Sequence, residues 1–154
     1  MTHAADISWI SPRAPSFGVQ SPGVAYKFRP GAYGILRDPC GRLAVVRTPG
    51  GVFLPGGGAD PQESASDALA REVREELGLA CQDLTRVAEA VEYVRGRDGD
   101  FALLCAYFTG SLPDAPFAGR EPDHVGEWLP VAEAIAQLHR PAQTWAVRKA
   151  CGVP

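Results

Sequence analysis

Residues Gly56 to Leu79 read Gly56-Gly57-Gly58-Ala59-Asp60-Pro61-Gln62-Glu63-Ser64, then Ala65 to Ala70, then Arg71-Glu72-Val73-Arg74-Glu75-Glu76-Leu77-Gly78-Leu79. The stretch predicts a glycine turn that opens a helix. Asp60 suits the N-cap, Pro61 the first helical position and Glu63 the partner of a capping box, while Gly78 suits the C-terminal stop. On a wheel of roughly 100° per residue with Leu69 at zero, Ala65, Leu69, Val73 and Leu77 form an apolar stripe. Glu76 falls at roughly −20°, Glu72 at roughly −60° and Glu75 at roughly −120°. Glu76 therefore lies within the stripe meant for the core, where an uncompensated carboxylate is costly. The three acids also repel one another and face the negative end of the helix dipole. A cation beyond Arg71 and Arg74 is expected beside them. Carboxylates clustered on one edge of a helix suit a hard divalent ion, Mg²⁺ or Mn²⁺, held with waters and phosphate oxygens.

The fixed positions of this run resemble the Nudix box, the signature of the Nudix (MutT-like) hydrolases. They are Gly57, then Glu63, then Arg71-Glu72-Val73-Arg74-Glu75-Glu76-Leu77-Gly78-Leu79, with Phe53-Leu54-Pro55-Gly56 as the entry. The resemblance implies an α/β fold, the Nudix-type α/β/α sandwich with a central mixed sheet. It implies Glu75 and Glu76 as a metal-binding pair, Glu72 as a metal ligand or the base for water, and Gly57 as a backbone carbonyl ligand. It also implies that Arg71 holds a carboxylate in place and that Glu63 supports that arrangement. The catalytic set is then Glu72, Glu75, Arg71 and Glu63. Against this stands a solvated acidic helix end, with Arg71 and Glu75 an ordinary surface pair and Glu63 only a capping residue.

Family members often carry a further acid on a loop before a late strand, and here the matching stretch is Glu121-Pro122-Asp123-His124-Val125-Gly126-Glu127-Trp128. Glu121 is the first choice as an added metal ligand and Asp123 the second; either also reads as a solvated loop acid. His124 reads as a surface histidine, because hard ions favour oxygen.

Working outward, 154 residues suit one domain with a real core. Residues 1–30 hold Pro12, Pro15, Pro22 and Pro30 and read as an extended arm before a Nudix domain over 31–154, although Trp9, Phe17, Tyr26 and Phe28 are expensive to leave in water. Ala32 to Arg37 and Arg42 to Arg47 read as strands around the turn Asp38-Pro39-Cys40-Gly41. Leu84 to Val94 and Phe101 to Thr109 form a second pair, the latter with an unbroken apolar run that predicts full burial. Ser111 to Asp123 is a long loop, Glu127 to Pro130 a short strand, and Val131 to Leu138 and Pro141 to Lys149 helices.

The net charge of −3 leaves no footprint for duplex nucleic acid. Cys40, Cys81, Cys105 and Cys151 lack paired metal-ligand spacing and read as free thiols of a cytoplasmic protein. The longest apolar run, Phe101 to Phe108, is too short to span a bilayer. Expected partners are a small-molecule nucleotide substrate and no membrane, with a homodimer left open. The expected activity is Mg²⁺-dependent cleavage of a phosphoanhydride in a nucleoside diphosphate linked to another moiety, with Mn²⁺ a substitute. Arg47, at the end of its strand, is the first candidate for phosphate, ahead of Arg37 and Arg29. Phe53 and Tyr33 are candidates to stack on a base, though both also read as core. The alternatives are a non-catalytic nucleotide-sensing domain on the same fold and, third, an isomerase.

Overall fold

The computed structural model describes residues 9–154, so the first eight positions of the expected arm lie outside the described residues. The strands are β1 (Ser16–Phe17), β2 (Lys27–Arg37), β3 (Leu43–Thr48), β4 (Gly51–Phe53), β5 (Gly56–Gly58), β6 (Gln82–Gly96), β7 (Gly99–Ser111) and β8 (Val125–Leu129). The helices are α1 (Ala65–Leu77), α2 (Val131–Gln137) and α3 (Pro141–Cys151). One sheet runs β1-β6-β7-β2-β3-β4, with β5 added to β2 and β8 to β3. β1 lies parallel to β6 and β2 parallel to β7, while the other pairings are antiparallel, so the sheet is mixed.

Alternation along each strand divides the core in two. On one face Ala32, Leu36, Ala44, Val46, Ala106 and Phe108 meet Leu69, Val73 and Leu77 of α1. On the other, Ile35, Leu43, Val45 and Tyr107 meet Ala134 of α2 and Ala142, Ala146 and Val147 of α3. The unbroken apolar run of β7 follows: Cys105 and Tyr107 serve one core, Ala106 and Phe108 the other. Leu69 and Leu77 are fully buried, each worth ~1.5–3 kcal/mol relative to exposure. The result is the α/β/α sandwich expected from the sequence.

Three local expectations are corrected. The helix is capped by Ser64, whose side chain accepts from Asp67 N–H, and not by Asp60. Glu63 still accepts from Asp60 N–H at 2.9 Å, so those two residues form a turn ahead of the helix. The glycine run is a short strand as well as a turn, with Ala32 opposite Gly57 and Tyr33 opposite Gly56. Gly56 has φ 140° and no room for a Cβ against Tyr33 of β2, a combination that only glycine meets without strain. Finally, β2 begins at Lys27, inside the expected arm. The arm's described part packs: Ile10 is buried, Trp9 Nε1 donates to Gly31 O at 3.0 Å, and the Phe17 ring lies 5.4 Å from that of Trp145.

Candidate active site

The end of α1 is held by the loop from the end of β7 to β8. Gly78 adopts φ 70° and its N–H bonds Arg74 O, while Ala118 N–H donates to Leu77 O and Arg120 N–H to Glu75 O. These bonds satisfy carbonyls that a helix end leaves open. Gly119 lies so close that a Cβ there would overlap the Glu76 carbonyl. The latch carries Glu121 and His124 over the acids of α1: His124 Nδ1 lies 2.9 Å from Glu121 Oε2, and its Nε2 lies 3.9 Å from Glu76 Oε2. Glu121 is out of line with the ring N–H, so Nδ1 has no hydrogen-bond partner among the described residues.

Arg71 organises the opposite side. Its Nε donates to Glu63 Oε2 at 2.9 Å, Nη2 to Glu63 Oε1 and Gly58 O at 3.0 Å each, and Nη1 to Glu72 Oε1 at 3.1 Å, with Glu75 at 3.4 Å. The two-point bond to Glu63 is the fork geometry for which arginine is suited. It holds the Glu63 carboxyl below its usual range, chiefly through the Arg71 hydrogen bond. Glu63 is thus the brace of Arg71, and its capping role is confined to the turn before α1. Glu72, by contrast, is pushed up by burial more than Arg71 pulls it down.

Glu76 is buried at 7% exposure, and its Oε1 accepts Gly56 N–H at 2.8 Å. Burial, with Glu72, Glu121 and Glu75 around it, pushes its pKa up to about 8. Among the described residues no arginine or lysine pairs with it, and His124 Nε2 stands 3.9 Å from its Oε2. Gly57 runs directly behind the acids: a Cβ there would stand 2.8 Å from the Glu72 carboxyl carbon. The donor set is therefore all oxygen and fits a hard divalent ion. Among the described residues no three His, Cys, Asp or Glu side chains close into a ready cage.

Beside Glu76 opens a cleft of about 270 Å³ lined by Tyr33, Thr48, Phe53, Gly57, His124, Arg140 and Gln143, among others. Phe53 lines the cleft, edge-on to His139 at 5.5 Å and under the Arg140 guanidinium at 5.4 Å. Arg47 is not brought to the cleft: its guanidinium bonds Glu127 Oε2 at 2.9 Å and Gln137 Oε1 at 2.9 Å. Its neighbours Val46 and Thr48 line the cleft instead, because successive strand residues face opposite ways. Arg29 lies over Phe101 and Arg37 bonds Cys151 Sγ. The cation that lines the cleft is Arg140, which sequence reasoning missed, and Gln143 one turn later accompanies it.

The chain matches the model of the NUDIX domain over residues 27–149. An RNA pyrophosphohydrolase of Teredinibacter turnerae is 40% identical over 73 residues, 46% of this chain and 43% of that protein, so the matched stretch spans less than half of the relative's length. Among solved structures, a MutT NUDIX hydrolase from Burkholderia pseudomallei aligns with a TM-score of 0.63 at 22% identity, covering 80% of this chain and 98% of the other. An Ap4A hydrolase of C. elegans aligns with a TM-score of 0.66 at 17% identity, covering 80% and 96%. At such identities the likeness is one of fold. With the box residues placed as described and four-fifths of the chain within the matching domain model, the protein belongs to the NUDIX family.

Proposed function

We propose that this chain is a divalent-metal-dependent hydrolase, with Mg²⁺ the working ion and Mn²⁺ a substitute, that cleaves a phosphoanhydride in a nucleoside diphosphate linked to another moiety. The observation that carries this reading is the convergence of Glu72, Glu75, Glu76 and Glu121 at one end of a cleft lined by Phe53, Tyr33 and Arg140. The named activities of the Teredinibacter turnerae and C. elegans proteins, pyrophosphohydrolase and Ap4A hydrolase, agree with it.

Gly57, Glu72, Glu75, Glu76 and Glu121 would hold the ion, which when bound supplies Lewis acidity toward phosphate oxygens and an acidified water. Arg71, braced by Glu63, keeps Glu72 and Glu75 turned toward the site and limits their mutual repulsion. Gly56 N–H fixes one oxygen of Glu76 and leaves the other to face the cleft. Phe53 and Tyr33, which line the cleft, are the candidates to stack on a flat ring, and Arg140 is the candidate donor to oxygens. A box carboxylate takes the proton of the attacking water, with Glu72 and Glu75 the candidates. The protein's contribution is thus mainly positioning and electrostatics.

Four free cysteines support residence in a reducing compartment, the cytoplasm. Among the described residues no helix is long and apolar enough to cross a membrane. The reading is tested by assaying nucleoside triphosphates, nucleotide sugars, dinucleoside polyphosphates and ADP-ribose with Mg²⁺. Turnover of at least one, abolished by chelator, is expected; binding without turnover across the panel would favour the nucleotide-sensing alternative.

A further inference from the structure

We propose that Glu92 is a positioning residue for substrate binding, an interior carboxylate that fixes Arg140 as the cation gripping acceptor oxygens of a nucleotide in the cleft. This deepens the reading that the cleft holds a nucleotide and rests on it. Along β6, Ala88 and Ala90 face the core, and Glu92 is the next residue in phase, with 2% exposure. Burying a carboxylate there is costly unless its oxygens are matched. Oε2 accepts the Ala142 N–H at 3.1 Å. Oε1 has no hydrogen-bond partner among the described residues, and lies 3.9 Å from Arg140 Nη1.

The start of α3 lacks a cap of its own, since Arg140 occupies the N-cap position without a side-chain bond and Pro141 follows. Glu92 takes that place from another element, where a negative group also meets the positive end of the helix dipole. It therefore holds the start of α3 at two points, Ala142 through its backbone N–H and Arg140 through its side chain. Arg140, in turn, donates no side-chain hydrogen bond within the described residues and lies over the Phe53 ring at 5.4 Å while lining the cleft. Its guanidinium has five N–H groups to offer. Glu92 Oε1 stands behind it, so the inward edge has a counter-ion and the outward edge is left for the ligand. A phosphoryl or carbonyl oxygen of the nucleotide meets that edge, and a shift of about 1 Å toward Glu92 would complete the interior bond.

The test is a double-mutant cycle on the substrate that the parent turns over best, reading KM and kcat for Glu92→Gln, Arg140→Ala and the double variant. Glu92→Gln keeps an acceptor for Ala142 N–H and removes the charge. It is expected to raise KM about tenfold with kcat within about twofold. Arg140→Ala should do at least as much, Arg140→Lys should recover part, and the double variant should be no worse than Arg140→Ala alone. The same cycle is read in the dissociation constant of ADP with chelator present, so absence of hydrolysis by the parent would defeat the hydrolase reading while leaving this one decided. Should Glu92→Gln fail to fold, Glu92→Asp, which keeps the charge and shortens the reach, replaces it. Independent effects that multiply in the double variant, a Glu92→Gln that melts lower with KM and ADP affinity unchanged, or a parent that does not bind ADP would each overturn the proposal.

Discussion

Replacing Glu76 with Gln should stabilise the metal-free protein, and by more as pH rises. The carboxyl titrates near 4.5 when unfolded and at about 8 when folded, with burial as the largest cause and Glu72, Glu121 and Glu75 adding to it. A folded pKa raised in an acid reverses the usual carboxylate pattern. Stability is complete below pH 4.5, falls as the unfolded chain ionises first, and is lost fully only above the folded pKa. At ~1.4 kcal/mol per pH unit the loss reaches on the order of 4 kcal/mol by pH 8. Glutamine keeps an acceptor for the Gly56 N–H, now bonded at 2.8 Å, and carries no charge to bury. Thermal melting with chelator at pH 5, 6, 7 and 8 should therefore show parent and variant close at pH 5. By pH 8 they should part by about 8–16 °C in favour of Glu76→Gln. Mg²⁺ should narrow the gap and, at about 1,000 times its Kd, close it, since ligand at that excess returns about 4.1 kcal/mol to the protein that binds it. Melting curves that stay parallel across this range with chelator would refute the reasoning, because Glu76 would then have a partner that neutralises it at every pH.

Three further outcomes are expected. Gly119→Ala should cost about 1–3 kcal/mol and raise the Mg²⁺ concentration for half-maximal rate, because the added methyl lifts the loop that carries Glu121 from α1; melting and a Mg²⁺ titration check both. Arg71→Lys keeps the charge but cannot bond Glu63 at two points and reach Glu72 together, so a loss of about 2–3 kcal/mol with a fall in kcat is expected in melting and steady-state kinetics. Deleting residues 1–22 should lower the melting temperature, because it removes the buried Ile10 and the Phe17 contact with Trp145; an unchanged melt with altered KM would instead give the segment a role at the site.

The box helix was legible because its signals are local. An apolar stripe, a glycine stop and acids that break the dipole rule need no tertiary information, and they placed Leu69, Val73, Leu77 and Glu76 correctly. The N-cap falls at Ser64 although Asp60 also suits the position, because Gln62 adopts a left-handed φ of 67° that breaks a helical path between them. The direction of Arg47 was readable in principle. Val45 and Leu43 pack on the α3 face, so Arg47 shares their phase, and strand alternation sends it away from the cleft. Arg140 and Glu92 were harder, since their meeting depends on how β6 and α3 pack, a pairing across 48 positions of chain. Glu92 nonetheless left a trace: a charged residue in phase with Ala88 and Ala90 is a polar side chain at a core position, which calls for a partner. The loop latch was invisible because it is made by backbone N–H groups of Ala118 and Arg120, which every non-proline residue possesses.

Phosphorus NMR of the best substrate of the panel, followed with Mg²⁺, with chelator, and with Mg²⁺ on Glu72→Gln and Glu76→Gln, tests most directly whether the acids of α1 drive hydrolysis of a phosphoanhydride. The parent with Mg²⁺ should convert the anhydride resonances to those of phosphate esters or inorganic phosphate. Chelation should stop this, and each variant should fall by at least about 100-fold in kcat while folding normally. Turnover that survives chelation, or that proceeds at the parental rate in Glu76→Gln, would contradict the account.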